Sequence, residues 1–181
     1  MQRGRLFAAM LTFYAGVMLW VGGLMTFAVV AGIPFEVLSR DTAGVVNRLM
    51  LGRLHILEVA GAVLLGVSLW LSNVRIRGWR WRIGPVMLIV MLTLFGIYAG
   101  LLEPMMGAIA RAVSFDTPTA ETAAAIARFE GYHRLHSLLV GATGVIGLAL
   151  LCWQTWLWVR LVEIPVAAAS GGQAAPPQQE S

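Results

Sequence analysis

Between Arg5 and Glu36 the chain carries no charged residue. Leu6 to Phe35 is therefore one continuous run of apolar and small residues, longer than the ~20 that an α-helix needs to cross the hydrocarbon core of a bilayer. No other feature limits the fold as tightly. Lipid offers no water to the backbone, so a spanning segment must close its own hydrogen bonds, which a helix does. A cleaved signal peptide, with Arg3 and Arg5 as its basic lead, is the rival reading. Its apolar region should run only ~7–15 residues, so the segment reads as a retained first helix, with Pro34 at its outer limit.

Composition extends the argument to the whole chain. Of 181 residues, 59% are hydrophobic and 12% charged, about half the charge of a soluble domain. Further spans are expected at about 52–71, 83–102 and 138–158. Glu103-Pro104 should end the third. Thr117-Pro118 reads as the N-cap and first residue of a new helix, whose alanine-rich body, Ala120 to Ala127, leads into the fourth. The expected fold is all-α: a four-helix transmembrane bundle over residues 1–166, with an extra amphipathic outer helix between spans 3 and 4. From 167 to 181 Ala, Gly, Gln and Pro predominate, a composition that builds no core and predicts a disordered cytoplasmic tail. Gly96/Gly100, Ala62/Gly66 and Gly141/Gly144/Gly147 mark candidate close helix contacts.

All 13 basic residues are Arg, and they fall in loops and at helix ends. They read as topology signals, not as a nucleic-acid surface. The link 73–82, with four Arg and two Trp, is the strongest of these. It sets both termini inside and residues 36–50 and 104–134 outside, in a bacterial-type inner membrane. Cys152 is the single cysteine, so neither a disulfide framework nor a CxxC metal motif exists. No nucleophile–base set, phosphate loop or zincin motif occurs, and no enzyme activity is expected. The bilayer is the expected partner, with a membrane protein or a second copy of the chain as further candidates and nucleic acid excluded.

Against that apolar background the ionisable residues stand out. His55 and Glu58 are three apart and share a helix face; so are His133 and His136. With the topology above, His55, Glu58, Glu103, His133 and His136 lie at similar depth near the outer face, on three helices. Arg53 and Arg134 stand beside them. A charge at the centre of a span costs roughly 2.5–3.5 kcal/mol, so such groups need partners. Three readings follow. In the first, a polar lock, Arg53 or Arg134 neutralises Glu58 and Glu103, with the histidines as hydrogen-bond partners. In the second, His55, Glu58, Glu103, His133 and His136 bind or help move a divalent transition metal or a proton. In the third, His55 and His136 hold haem b.

The residues also carry a family resemblance. Gly16-Val-Met-Leu-Trp20-Val-Gly-Gly, Leu38-Ser-Arg40-Asp-Thr-Ala-Gly44, Leu102-Glu103-Pro104, Arg128-Phe129 and His133-Arg-Leu-His136-Ser137 occur in that order. Together they resemble the TMEM205-like (DUF4149) membrane family over about residues 10–150. The resemblance implies four spans; its eukaryotic members are associated with metal-drug resistance.

Overall fold

The computed structural model describes residues 2–73 and 82–170. Seven α-helices follow one another: α1 Gln2–Val17, α2 Gly23–Val30, α3 Pro34–Val37, α4 Arg40–Asn73, α5 Ile83–Ile97, α6 Glu103–Ala112 and α7 Ala123–Ser170. Two π-helical turns, Met18–Gly22 and Tyr98–Leu102, join α1 to α2 and α5 to α6. These elements combine into four helical segments long and apolar enough to cross a membrane: Gly4–Val37, Arg40–Ser72, Ile83–Ala112 and Ala123–Arg160. The chain is an all-α, four-helix, multi-pass membrane bundle. Its apolar surface points outward as lipid demands: Val29, Val63, Ile89, Leu138 and Val145 are all exposed.

Several expectations change at the span ends. Pro104 does not stop the third span, because it sits at the start of α6, where its missing N–H and fixed φ are tolerated. The turn before it widens instead, and the helix continues to Ala112. No separate helix lies between spans 3 and 4 among the described residues; most of the alanine-rich segment forms the first turns of α7. The fourth-span cap is Thr119, not Thr117. Thr119 Oγ1 accepts from the Thr122 N–H at 3.3 Å, while the Thr119 N–H donates to Thr122 Oγ1 at 3.0 Å, a reciprocal pair of the kind that closes a helix start. At the other end α7 runs on to Ser170, so the expected tail boundary at 167 falls inside it. The rest of the tail and most of the Arg-rich link (74–81 and 171–181) lie outside the described residues.

One close backbone approach between helices was not among the glycine pairs singled out above. Gly16 of α1 faces Gly61 of α4, and a Cβ on Gly61 would stand 2.8 Å from the Gly16 carbonyl oxygen and 2.9 Å from Trp20 Cβ. Next to this crossing, Ser68 Oγ donates to the Ala9 carbonyl at 2.7 Å, a cross-helix bond made in place of water. Gly66, Gly96, Gly100, Gly141 and Gly144 face open space, so those positions do not pack this bundle. Of the expected set only Gly147 makes a close contact, receiving Val21 and Met91. Phe13, Trp20, Leu65, Met91, Leu150 and Trp158 fill the core around these crossings.

One end of the bundle is tied by exchanged caps. Asp116, in the loop before α7, accepts from the backbone N–H of Arg40 at 2.8 Å and so caps α4. Asp41 of α4 in turn accepts from Ser114 Oγ at 2.6 Å and from the Phe115 N–H at 2.7 Å. At 34 residues, α4 is about 51 Å long, well beyond the ~30 Å hydrocarbon core. Its first turns therefore carry these charged caps clear of the lipid.

Replacing Gly61 by Ala should cost about 1–3 kcal/mol, because the blocking atoms include backbone that cannot step aside. Gly66→Ala, in open space, should stay within about 1 kcal/mol of wild type. Thermal unfolding in detergent, followed by tryptophan fluorescence, measures both.

Candidate functional site: a carboxylate–imidazole ladder

Three helices bring five polar side chains together around the middle of α4. On α4 the three-residue spacing puts His55 and Glu58 on one face, and His55 Nδ1 meets Glu58 Oε2 at 2.6 Å. From the third span come Tyr98 and Glu103. In a regular α-helix residues five apart stand about 140° around the axis from each other and would not face the same neighbour. The π-turn Tyr98–Leu102 removes that offset: the Glu103 N–H bonds to the Tyr98 carbonyl, an i→i+5 closure that stacks the two residues on one face. From α7 comes His136.

The contacts form a single chain. The Tyr98 hydroxyl donates to Glu58 Oε1. His55 joins Glu58 through Nδ1 and Glu103 through Nε2, the latter at 2.9 and 3.0 Å to the two carboxylate oxygens. His136 Nε2 reaches Glu103 Oε1 at 3.1 Å. Tyr98 is 0%, Glu58 1% and His136 7% exposed, while the His55 and Glu103 side chains are 20% and 19% exposed, so the two ends of the ladder are buried and its middle is partly open. Aromatic rings close its sides. Phe95 stands edge-on to His55 with centroids 5.4 Å apart, and Tyr98 does the same to His136 at 5.5 Å.

Proton counting shows what the arrangement can do. A carboxylate only accepts hydrogen bonds, and a ring nitrogen donates only when protonated. Each of the three imidazole–carboxylate contacts therefore holds one proton, and Tyr98 supplies its own. With both glutamates ionised, His55 is an imidazolium and His136 carries its proton on Nε2. The set then bears one net negative charge. A further proton, on His136 Nδ1, would make it neutral.

The residues expected at the site divide clearly. His55, Glu58, Glu103 and His136 are brought together. His133 lies outside the ladder, exposed and stacked against Phe129 with centroids 6.1 Å apart and planes 8° from parallel. Arg53 and Arg134 are exposed, and among the described residues neither pairs with Glu58 or Glu103. The reason is angular: each precedes its histidine by two residues, which turns it about 200° around the helix. The histidines are the hydrogen-bond partners that the lock reading expected, while the arginines take no part. Tyr98 was missed. Its signal was a phenol inside a span, which needs a partner for its hydroxyl.

The same geometry bears on metal and haem. Both nitrogens of His55 are taken by carboxylates, so the donors aim at one another and not at a common vacant point. Among the described residues no group of three or more His, Cys, Asp or Glu is arranged to hold a metal ion. The Glu103 carboxylate lies between the two Nε2 atoms, in the space where a shared haem iron would have to sit.

Fold and site together define a class: a multi-pass membrane bundle with a buried phenol–carboxylate–imidazole ladder linking three of its helices. Compared with known proteins, the chain matches no family model, no curated protein and no solved structure.

His55→Ala would leave buried Glu58 and partly buried Glu103 without their bridging partner and should cost about 3–5 kcal/mol. Arg53→Gln and Arg134→Gln should each change stability by less than about 0.5 kcal/mol. Denaturant titration of the three variants in the same detergent compares them directly.

Proposed function

We propose that this chain is a membrane protein that binds protons, and that the ladder from Tyr98 to His136 is its proton site. The observation that carries this reading is the double engagement of His55, whose two nitrogens bond carboxylates on two different helices. A proton in such a contact lies between an imidazole nitrogen and a carboxylate oxygen. Adding or removing one alters the packing between α4, α6 and α7. Because the set as drawn bears one net negative charge in a low-dielectric surrounding, uptake of a single proton relieves an electrostatic cost. His136 is the entry point, since its Nδ1 is free of the Glu103 contact. Exposed His133, one turn closer to the start of α7, is the group through which a proton arrives. The ordered motifs support placement in the TMEM205-like family. The Arg-rich link supports termini on the cytoplasmic side of a bacterial-type inner membrane, with the ladder near the outer face.

A metal is the second reading, favoured by one specific feature. His55 Nε2 and His136 Nε2 both face Glu103, while Glu58 holds His55 through Nδ1 as an outer carboxylate commonly holds a metal-bound histidine. A small rotation of Glu103 would free both nitrogens toward a divalent transition metal.

Infrared difference spectra of the protein in nanodiscs, stepped across about pH 4 to 9, separate the two. The proton reading expects carboxyl and imidazole bands that titrate in wild type and vanish in His136→Phe and Glu103→Gln. It fails if the wild-type and His136→Phe spectra titrate identically. Stoichiometric zinc retained through dialysis, and lost in Glu103→Gln, would select the metal reading.

Orientation has its own test. In a Cys152→Ser background, Thr117→Cys should react with an impermeant maleimide in intact cells, and Asn73→Cys only after permeabilisation. The reverse pattern would invert the topology.

A further inference from the structure

In depth, the ladder meets two different surroundings. From Ile83, the first residue of α5, to Glu103 the helix rises about 30 Å, the full thickness of the hydrocarbon core. Glu103 and its histidine partners therefore stand at the membrane boundary on the side where α7 starts. His55 and Glu103 are the partly open members of the set. Gly107 lies one turn beyond Glu103 on the same face of α6, and Arg111 Nη1 comes within 3.5 Å of where its Cβ would stand. Arg111 is exposed, and an exposed guanidinium belongs among headgroups and water. This side of the ladder borders an aqueous compartment.

The deeper side is shut. Glu58 and Tyr98 lie innermost, and next to the phenol stands Trp20, its hydrogen-bonding neighbour, wholly buried. An indole has an N–H but no acceptor, so Trp20 can steady Tyr98 and cannot take up a proton and pass it on. Beneath it Leu65, Met91 and Leu150, all wholly buried and apolar, fill the core. This layer reaches from Tyr98 back towards Gly84, about 20 Å along the third span. Its hydroxyls are spent on backbone: Ser68 on Ala9, Thr143 on Leu139 and lipid-facing Thr93 on Ile89. Gln154 lies at its far limit, with Oε1 3.4 Å from where a Cβ on Gly84 would stand. Among the described residues no titratable side chain is buried between Tyr98 and Gly84. Apolar space of this kind stays dry, so neither side chains nor water supply a relay. The cleft that approaches Glu58 opens among exposed Val59, Val63 and Leu92, on hydrocarbon and not on water.

We propose that the ladder is a one-sided proton sensor: it exchanges protons only with the compartment facing the start of α7, and no proton crosses the bundle. This rests on the proton reading above and adds the side from which the site is loaded. The titratable and charged groups facing the site are its own five members and Arg111. The first span brings only Trp20 to it, while Arg53 and Arg134 turn away. A bound proton then changes how α4 sits against α6 and α7, and the result is a change of shape in place of a flux.

The test uses the full chain in liposomes, as the Cys152→Ser, Thr117→Cys variant, with impermeant maleimide reporting the fraction of each orientation. Infrared difference spectra are recorded while the pH of the external medium alone is stepped. The carboxyl and imidazole bands should respond in proportion to the labelled fraction. The remaining chains should respond only after a protonophore is added. Pyranine-loaded liposomes polarised with potassium and valinomycin should acidify no faster than protein-free ones. Bands from unlabelled chains that follow the external pH without protonophore would overturn the one-sided reading and leave the proton site standing. So would a proton flux that His136→Phe abolishes. Bands that titrate from neither side, or identically in His136→Phe, would overturn both.

Discussion

Ionisable groups inside hydrocarbon must neutralise one another, and that requirement organises this bundle. His55 answers it by standing between Glu58 and Glu103 with one nitrogen on each. Remove that bridge and two carboxylates face each other across a helix interface, one of them fully buried. The bridge also decides which helices are neighbours. It ties α4 to the third span, and Glu103 extends the tie to α7 through His136. Apolar packing between membrane helices is weakly directional, because lipid tails compete for the same surfaces. Hydrogen bonds between charged partners are strongly directional, and they fix the rotation of each helix about its own axis.

The first span is held by different means. It contributes no ionisable group to the ladder and meets α4 through the Gly16–Gly61 approach and the Ser68–Ala9 bond. Close backbone contact lets dispersion forces act over a long seam, which is the main attraction left to helices in lipid. The bundle thus combines two kinds of joint: a steric seam from Ala9 to Gly16 of α1 and an electrostatic clasp near the middle of α4. The exchanged Asp41 and Asp116 caps lie beyond the clasp, in water, and hold the α6–α7 loop over it.

Much of this was legible in the residues. Span number and class follow from the charge-free runs, since few structures tolerate them. The meeting of His55, Glu58, Glu103 and His136 followed from depth, because groups at one level on adjoining helices must find partners. What escaped was anything depending on rotation about a helix axis. Arg53 and Arg134 lie next to the cluster in sequence and away from it in space. Gly96 and Gly100 have the spacing of a packing motif and point outward, whereas Gly16 and Gly61 meet although no motif flags them. Tyr98 escaped because regular helical spacing places it off the Glu103 face, and only the widened turn returns it. Pro104 hinted at an irregularity but did not say whether the helix would end there or swell.

The swollen turn at Tyr98–Leu102 has a consequence for how the third span could have arisen. A π-turn is equivalent to one surplus residue inside an α-helix, so it shifts the phase of everything after it by about a quarter turn or more. Upstream, α5 presents Leu88 and Met91 to the core in ordinary helical rhythm; downstream, α6 keeps its own rhythm, offset from the first. The two halves of the span are therefore free to be fitted separately, one to the apolar seam and the other to the polar clasp. A straight helix would tie the choice of core residues to the choice of site residues. Here a single extra amino acid uncouples them.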